Sequence, residues 1–223
     1  KLITLAPASV QEMADHTVLA FDLAFKYRNP VMVLSDGIIG QMMEKVQLPP
    51  YQPRLTDEQV REKYPWATTG KHGRAKQNII TSLELRSEEM EKINNRLQDK
   101  YRQVEKDEVR FEEYFCEDAE YLITAFGSCA RICQKTIELL RAEGIKVGLL
   151  RPITLYPFPT EAIARFAKQV KGILSVELNA GQMVEDVRLA VNGVTPVEFY
   201  GRQGGMTPTP DEVVKALKAK LIK

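Results

Sequence analysis

The chain has 223 residues, with 31 Lys+Arg against 30 Asp+Glu and a formal charge of +1. That balance excludes a nucleic-acid binder working by bulk charge and a polybasic membrane-surface protein. With 44% hydrophobic and 27% charged residues it reads as a soluble globular chain of one or two domains, able to bury its own core, with no apolar run near the roughly 18 residues of a membrane span.

Leu2-Ile3-Thr4-Leu5 reads as a short strand ended by Pro7. Ser9 and Glu12 have the spacing of a capping box, and Val10, Met13, Ala14, Thr17, Val18, Phe21 and Phe25 recur at helical spacing up to Asn29-Pro30. Val31 to Leu34 has the look of a buried parallel strand, and Asp36-Gly37 turns the chain into a short helix over 40–46. Residues 47–80 sustain no period; prolines cluster there, and Gly70 and Gly73 flank a basic stretch of Lys71, His72 and Arg74, with Lys76 beyond. Ser87 caps a long amphipathic helix extending to about Phe115, with Met90, Ile93, Leu97, Tyr101, Val104 and Phe111 as its apolar stripe.

From Ala119 strands and helices alternate strictly. Strands are predicted over 121–126, 145–150, 173–178 and 197–200, and helices from Gly127 to about Gly144, over 160–170 and 182–192, and from Pro210 onward. This pattern predicts an α/β fold, a three-layer α/β/α domain with a mostly parallel sheet, preceded by a partial α/β remnant and the long helix. The expected divisions are 1–46, 47–115 and 116–223.

In such a sheet, ligands sit beyond the carboxyl ends of the strands. The free N–H groups at Gly127-Ser128, with Arg131, Arg151 and Arg202, form a candidate anion site of Ser128, Arg131, Arg151 and Arg202. The alternative is that these cations pair with carboxylates such as Glu177, or dock another domain. Cys129 and Cys133 share a helix face, but only Cys116 remains as a third ligand, so buried structural thiols stand against a metal site. An odd count of three Cys fits a reducing compartment, and no signal peptide is readable. His16 reads as a packed or surface histidine. The glycine-rich turn from Gly201 to Gly205 is neither a Walker A loop nor a dinucleotide fingerprint. No catalytic triad, glycosidase carboxylate pair or zinc-protease helix is present.

Four stretches resemble one family. They are Arg151-Pro152-Ile153-Thr154-Leu155-Tyr156-Pro157-Phe158-Pro159, the run from Glu177 to Arg188, Pro65-Trp66-Ala67-Thr68-Thr69-Gly70, and Phe199-Tyr200-Gly201-Arg202-Gln203-Gly204-Gly205. Together they resemble the alpha subunit of 2-oxoacid:ferredoxin oxidoreductases, including its transketolase C-terminal-like domain, most of all the branched-chain (2-oxoisovalerate) type. The resemblance spans essentially the whole chain. It implies oxidative decarboxylation of a 2-oxoacid to an acyl-CoA with reduction of ferredoxin. Thiamine diphosphate, magnesium, iron–sulfur clusters and CoA would serve the whole complex, and none is expected on this chain. Implied partners are a thiamine-binding beta subunit, ferredoxin-like gamma subunits and ferredoxin, in a cytoplasmic homo-oligomer of the heteromer. The chain begins at Lys1 with a strand-like segment at once, so it is expected to be the later part of a longer subunit, lacking the activating Glu, inactive alone and acting in assembly. No catalytic residue carries over. The alternative is a non-catalytic anion-binding or interaction module of a 2-oxoglutarate- or pyruvate-type thiamine enzyme.

Overall fold

The structure, a computed structural model, describes residues 1–71 and 73–222; His72 of the basic stretch lies outside the described residues. Packing divides them into two units, residues 1–47 with 100–223 and residues 48–99.

The centre of the first unit is a five-stranded sheet. Its order is β3 (Phe111–Tyr114), β5 (Val147–Pro152), β4 (Tyr121–Thr124), β7 (Ile173–Glu177) and β8 (Val197–Gly201). All pairings are parallel except that of β3 with β5. Successive strand residues face opposite sides, and here both sides are covered. Leu122, Leu150 and Ile173 pack against α6 (Thr160–Ala167) and α7 (Met183–Val191). Ile123, Leu149 and Leu174 pack against α5 (Gly127–Ala142) and α8 (Pro210–Leu221). Neighbouring apolar residues are needed together, which is why these strands read as unbroken apolar runs. The expected three-layer α/β/α architecture is the one observed.

A second sheet of three strands has the order β2 (Val31–Val33), β1 (Ile3–Leu5), β6 (Thr154–Tyr156). β1 is parallel to β2 and antiparallel to β6. β6 is absent from the strands predicted from the sequence, because three residues carry no measurable period. β2 is an outer strand with Met32 exposed, which corrects the expectation of a buried one. Ile3, Leu5, Leu23 and Tyr27 form a cluster with Val104 of α4 (Ser87–Asp107). Residues 1–47 therefore dock on the end of the long helix.

The long helix stops at Asp107 rather than near Phe115. Glu108 is buried, and its carboxylate accepts Lys26 Nζ at 2.6 Å, the Tyr27 hydroxyl at 2.6 Å and Arg110 at 2.8 Å. Burial alone would raise the Glu108 carboxyl, but these three donors outweigh it and hold it below its ordinary value. Satisfying that buried charge draws the chain out of the helix, and Phe111 enters a strand opposite Pro152. α1 (Val10–Tyr27) starts where expected, with Ser9 Oγ accepting the Glu12 N–H at 3.1 Å. Glu12 does not close the capping box on Ser9: it accepts the Ala8 N–H at 2.7 Å and turns to Arg151. α2 lies over Gly37–Gln41, not 40–46, because Asp36 is its N-cap.

In the second unit, α3 (Asp57–Lys63) is a helix that the prolines obscured, closed by a Thr56–Gln59 capping box. The loop after it is tied to itself. Arg74 donates to the Gly70 carbonyl at 2.8 Å and the Thr69 hydroxyl at 3.0 Å, and Asn78 donates to the carbonyls of Pro65 and Ala67 at 2.6 and 3.0 Å.

One glycine in β5 reports how closely the first unit is packed. A Cβ at Gly148 would lie 2.8 Å from the Phe115 carbonyl oxygen and 3.0 Å from the Cys116 Cα. Both obstacles are backbone. Gly148→Ala should therefore destabilise the chain by about 1–3 kcal/mol, seen as a lower urea midpoint at unchanged slope.

Candidate functional site

The chain runs from β4 outward to β5, then crosses back to β7, so the order reverses between β4 and β7. This is where doubly wound sheets bind ligands. Two adjoining cavities of about 220 and 200 Å³ lie there, sharing Leu34, Phe126, Glu177, Asn179 and Gln182. Asp36 lines the first and Asp186 the second; every charged lining residue is acidic.

The chain caps both helices that start at this point with its own carboxylates. Asp36 Oδ1 accepts the N–H groups of Ile38 and Ile39, both at 3.0 Å, and its Oδ2 accepts the Ser128 N–H at the start of α5 at 2.9 Å. Gly127 has φ +58°, and a Cβ there would lie 2.9 Å from the same Oδ2, so the close approach needs glycine. At α7, Glu177 is 1% exposed. Its two oxygens accept the Ser175 hydroxyl and the N–H groups of Gln182, Met183 and Val184 at 2.9–3.1 Å. Both helix N-termini thus hold an internal anion, and an added phosphate would face acidic walls. Burial, then the charges of Glu185 and Glu177, raise the Asp186 carboxyl.

The structure gives each arginine of the sequence-derived anion site a carboxylate of its own. Arg131 meets Glu44 at 2.8 Å. Arg202 meets Glu212 at 2.7 Å. Arg151 has a side chain 3% exposed and grips Glu12 with two bonds of 2.8 and 2.7 Å and Glu112 with a third of 3.0 Å. Ser128 donates its N–H to Asp36, and its buried hydroxyl has no hydrogen-bond partner among the described residues. What these cations show is the ion pairing weighed as the alternative, with Glu12, Glu112, Glu44 and Glu212 in the part foreseen for Glu177. The sequence carried no sign that residue 12 meets residue 151. Asp36 could have been found: Asp before Gly-Ile-Ile is an N-cap signal that was read only as a turn.

The thiols lie in two separate core clusters, Cys116 in one and Cys129 with Cys133 in the other. Burial pushes the Cys116 thiol up to about 11 and Cys129 up to about 12, the latter helped by the charges of Asp36 and Glu177, and burial also raises Cys133 well above its ordinary value. Among the described residues no group of three or more His, Cys, Asp or Glu side chains could hold a metal ion. His16 is buried, packed beside Glu12 with its Nδ1 unpartnered among the described residues, and burial lowers its pKa against the pull of Glu12. No described helix is long and apolar enough to cross a membrane.

Two family models divide the chain. The thiamine-diphosphate-binding domain of pyruvate flavodoxin/ferredoxin oxidoreductases matches residues 1–113, and core domain II of pyruvate:ferredoxin oxidoreductase matches residues 119–213. The chain belongs to the pyruvate flavodoxin/ferredoxin oxidoreductase family, as its motifs implied. It is 47% identical to the ketoisovalerate oxidoreductase subunit VorB of Methanothermobacter marburgensis over 203 residues, 91% of this chain and 56% of that subunit. It is 33% identical to the 2-oxoglutarate synthase subunit KorA of Archaeoglobus fulgidus over 230 residues, 99% of this chain and 61% of that subunit. The chain thus spans little more than half the length of these curated relatives. In fold it matches a 2-oxoglutarate:ferredoxin oxidoreductase from Magnetococcus marinus, solved with 2-oxoglutarate, coenzyme A and succinyl-CoA bound. The TM-score is 0.74 at 22% identity, covering 99% of this chain and 42% of that one.

Two outcomes follow from this geometry. Arg151→Met should cost about 3–5 kcal/mol by leaving Glu12 unpaired in a partly buried site, and adding Glu12→Gln should recover part of it in a double-mutant cycle of urea unfolding. The pH dependence has a definite sign. Burial would raise Glu12, but Arg151 and the Ala8 N–H outweigh it, so Glu12 lies below its ordinary 4.5. Its stabilisation is complete above that value and is lost as pH falls through the folded pKa. His16, lowered from 6.5, adds a loss of the same sign beginning as pH drops below 6.5, and His16→Gln should flatten that limb. Separately, Cys116, Cys129 and Cys133 should resist an aromatic disulfide reagent at pH 8 in the native chain and all react in denaturant.

Proposed function

We propose that this chain forms part of the alpha-type subunit of a thiamine-diphosphate-dependent 2-oxoacid:ferredoxin oxidoreductase that takes a branched-chain 2-oxoacid. The observation that carries the reading is the 47% identity to a ketoisovalerate oxidoreductase subunit, against 33% to a 2-oxoglutarate synthase subunit over similar spans. The reaction would be oxidative decarboxylation of the 2-oxoacid to an acyl-CoA, with electrons passed to ferredoxin. Residues 1–46 would close the thiamine-binding domain, 47–115 would link, and 116–223 would form the transketolase C-terminal-like domain.

The described residues do not fit the thiamine diphosphate–magnesium group. The helix N-termini that would hold a diphosphate are filled by Asp36 and Glu177, and no cluster of metal-ligating side chains stands beside them. An iron–sulfur cluster is not matched either, since it takes four thiolates and the chain has three Cys, with Cys116 in the core on one face of the large sheet and Cys129 and Cys133 in the core on the other. Those groups are assigned to the beta and gamma subunits, in a cytoplasmic complex. This chain would contribute a rigid assembly surface and no catalytic group of its own. Arg151, spent on Glu12 and Glu112, would hold the thiamine-domain strands in place and would not bind CoA.

The test is an assay of the complex isolated through this chain, following CoA-dependent viologen reduction with 2-oxoisovalerate, 2-oxoglutarate and pyruvate. 2-Oxoisovalerate should show a kcat/KM at least about tenfold above the others, the discrimination a pocket achieves from a few methylene groups. Preference for 2-oxoglutarate or pyruvate would overturn the branched-chain reading. The isolated chain should show no rise in melting temperature with thiamine diphosphate and magnesium, since a ligand that binds only the folded state must raise it.

A further inference from the structure

The second of the two cavities, of about 200 Å³, holds a carboxylate that nothing in the chain answers. Its walls are drawn from separate parts of the first unit. Leu34 follows β2, Phe126 lies between β4 and α5, Leu155 belongs to β6, Phe158 precedes α6, and Met183 and Asp186 belong to α7. Glu177 lines it too, but its oxygens are taken up by the Ser175 hydroxyl and the first N–H groups of α7. Asp36, in the adjoining cavity, is spent in the same way on Ile38, Ile39 and Ser128. Asp186 differs from both. Among the described residues its carboxylate has no donor and no cation beside it, and no Lys, Arg or His lines either cavity. Burial first, then the like charges of Glu185 and Glu177, raise its carboxyl. The residue remains open to water, so a ligand can reach it.

The walls say what kind of ligand. A carboxylate against apolar surface loses hydration without gaining a partner, and a bound positive charge makes good that loss. Apolar cavities with a few convergent polar groups and a perturbed carboxyl are the usual form of a small-molecule site. Here Leu155, Phe158, Met183 and Phe126 are the apolar part, and Gln182, four residues before Asp186, adds a neutral polar group. The two phenylalanines also offer aromatic surface, which attracts organic cations. A cavity of about 150 Å³ takes a benzene ring, so this one has room for about six to ten non-hydrogen atoms. An anion is disfavoured. A 2-oxoacid or a CoA phosphate would meet Asp186, Glu177 and Asp36 with no cation on the walls.

We propose that this cavity binds a small organic cation, a primary ammonium on a compact apolar body, with Asp186 as its counter-ion. Phe126, Leu155, Phe158 and Met183 would surround the body. The site does not depend on which 2-oxoacid the complex takes.

The experiment titrates three compounds with the same ring into the complex isolated through this chain: cyclohexylammonium, cyclohexanol and cyclohexanecarboxylate. The methyl resonances of Leu155 and Met183 report on the cavity, and calorimetry gives the Kd. Cyclohexylammonium should move both methyls and bind at least about tenfold more tightly than cyclohexanol, as expected for a charge-assisted hydrogen bond. Cyclohexanecarboxylate should leave both methyls unmoved. Asp186→Asn keeps the shape and removes the charge, so it should bring the ammonium down to the affinity of the alcohol. Its melting temperature should match the parent's, so that lost binding is not lost fold. Glu185→Gln, adjacent but off the cavity walls, should change the Kd by less than about twofold, since exposed charges couple weakly. Equal binding of the ammonium and the alcohol would make the cavity merely apolar and overturn the proposal. So would ammonium binding undiminished in Asp186→Asn, or methyls that cyclohexylammonium does not move. Methyls that respond in the chain alone but not in the complex would show the cavity filled on assembly, and would overturn it too. A complex that binds the ammonium at Asp186 yet prefers 2-oxoglutarate or pyruvate would count against the substrate reading alone.

Discussion

A guanidinium buried in a sheet must find carboxylates or leave the core, and Arg151 resolves that demand by reaching out of β5 to Glu12 and Glu112. Glu112 lies on the neighbouring strand β3 and Glu12 on the first turn of α1. The bidentate grip fixes the direction in which α1 leaves its cap, and that direction brings Leu23 and Tyr27 onto Val104. Tyr27 and Lys26 then meet Glu108, which releases the chain from α4 into β3, beside Arg151 again. The circuit is closed: each buried charge is satisfied by an element whose placement depends on another.

The same logic governs the strand ends. Open α/β sheets leave helix N-termini aimed at the crevice where the strand order reverses, and many members use them for phosphate. Here Asp36 comes from the segment after β2 to fill one, and Glu177 from the end of β7 fills the other. A feature that would bind an external anion has been turned inward as a joint between layers.

The sequence disclosed much of the second half and little of the first. Strands such as Ile173–Glu177 are apolar on both faces, and helices such as Pro210–Leu221 begin with Thr, Pro and two acids; both signals are local, so they survive without tertiary information. What stayed hidden depends on distant partners. The three residues of β6 acquire meaning only beside β1. The helix stripe ran on to Phe111 because a period cannot sense a buried Glu108. Arginines at strand ends looked like an anion site because the carboxylates that neutralise them, Glu12 and Glu44, lie far earlier in the chain. The family motifs, by contrast, were legible in full, since resemblance integrates over long stretches that physics reads one residue at a time.

A single residue, Ile153, separates β5 of the large sheet from β6 of the small one, and its carbonyl accepts the Ala6 N–H at 2.7 Å. Two sheets joined by so short a splice share one rigid spine and cannot swing apart as hinged bodies would. The boundary at which sequence comparison hands over from one family model to the next therefore does not coincide with a mechanical boundary. A shortened chain beginning near residue 116 would carry β6 with no neighbour and Arg151 without Glu12 or Glu112, exposing a bare strand edge prone to aggregation.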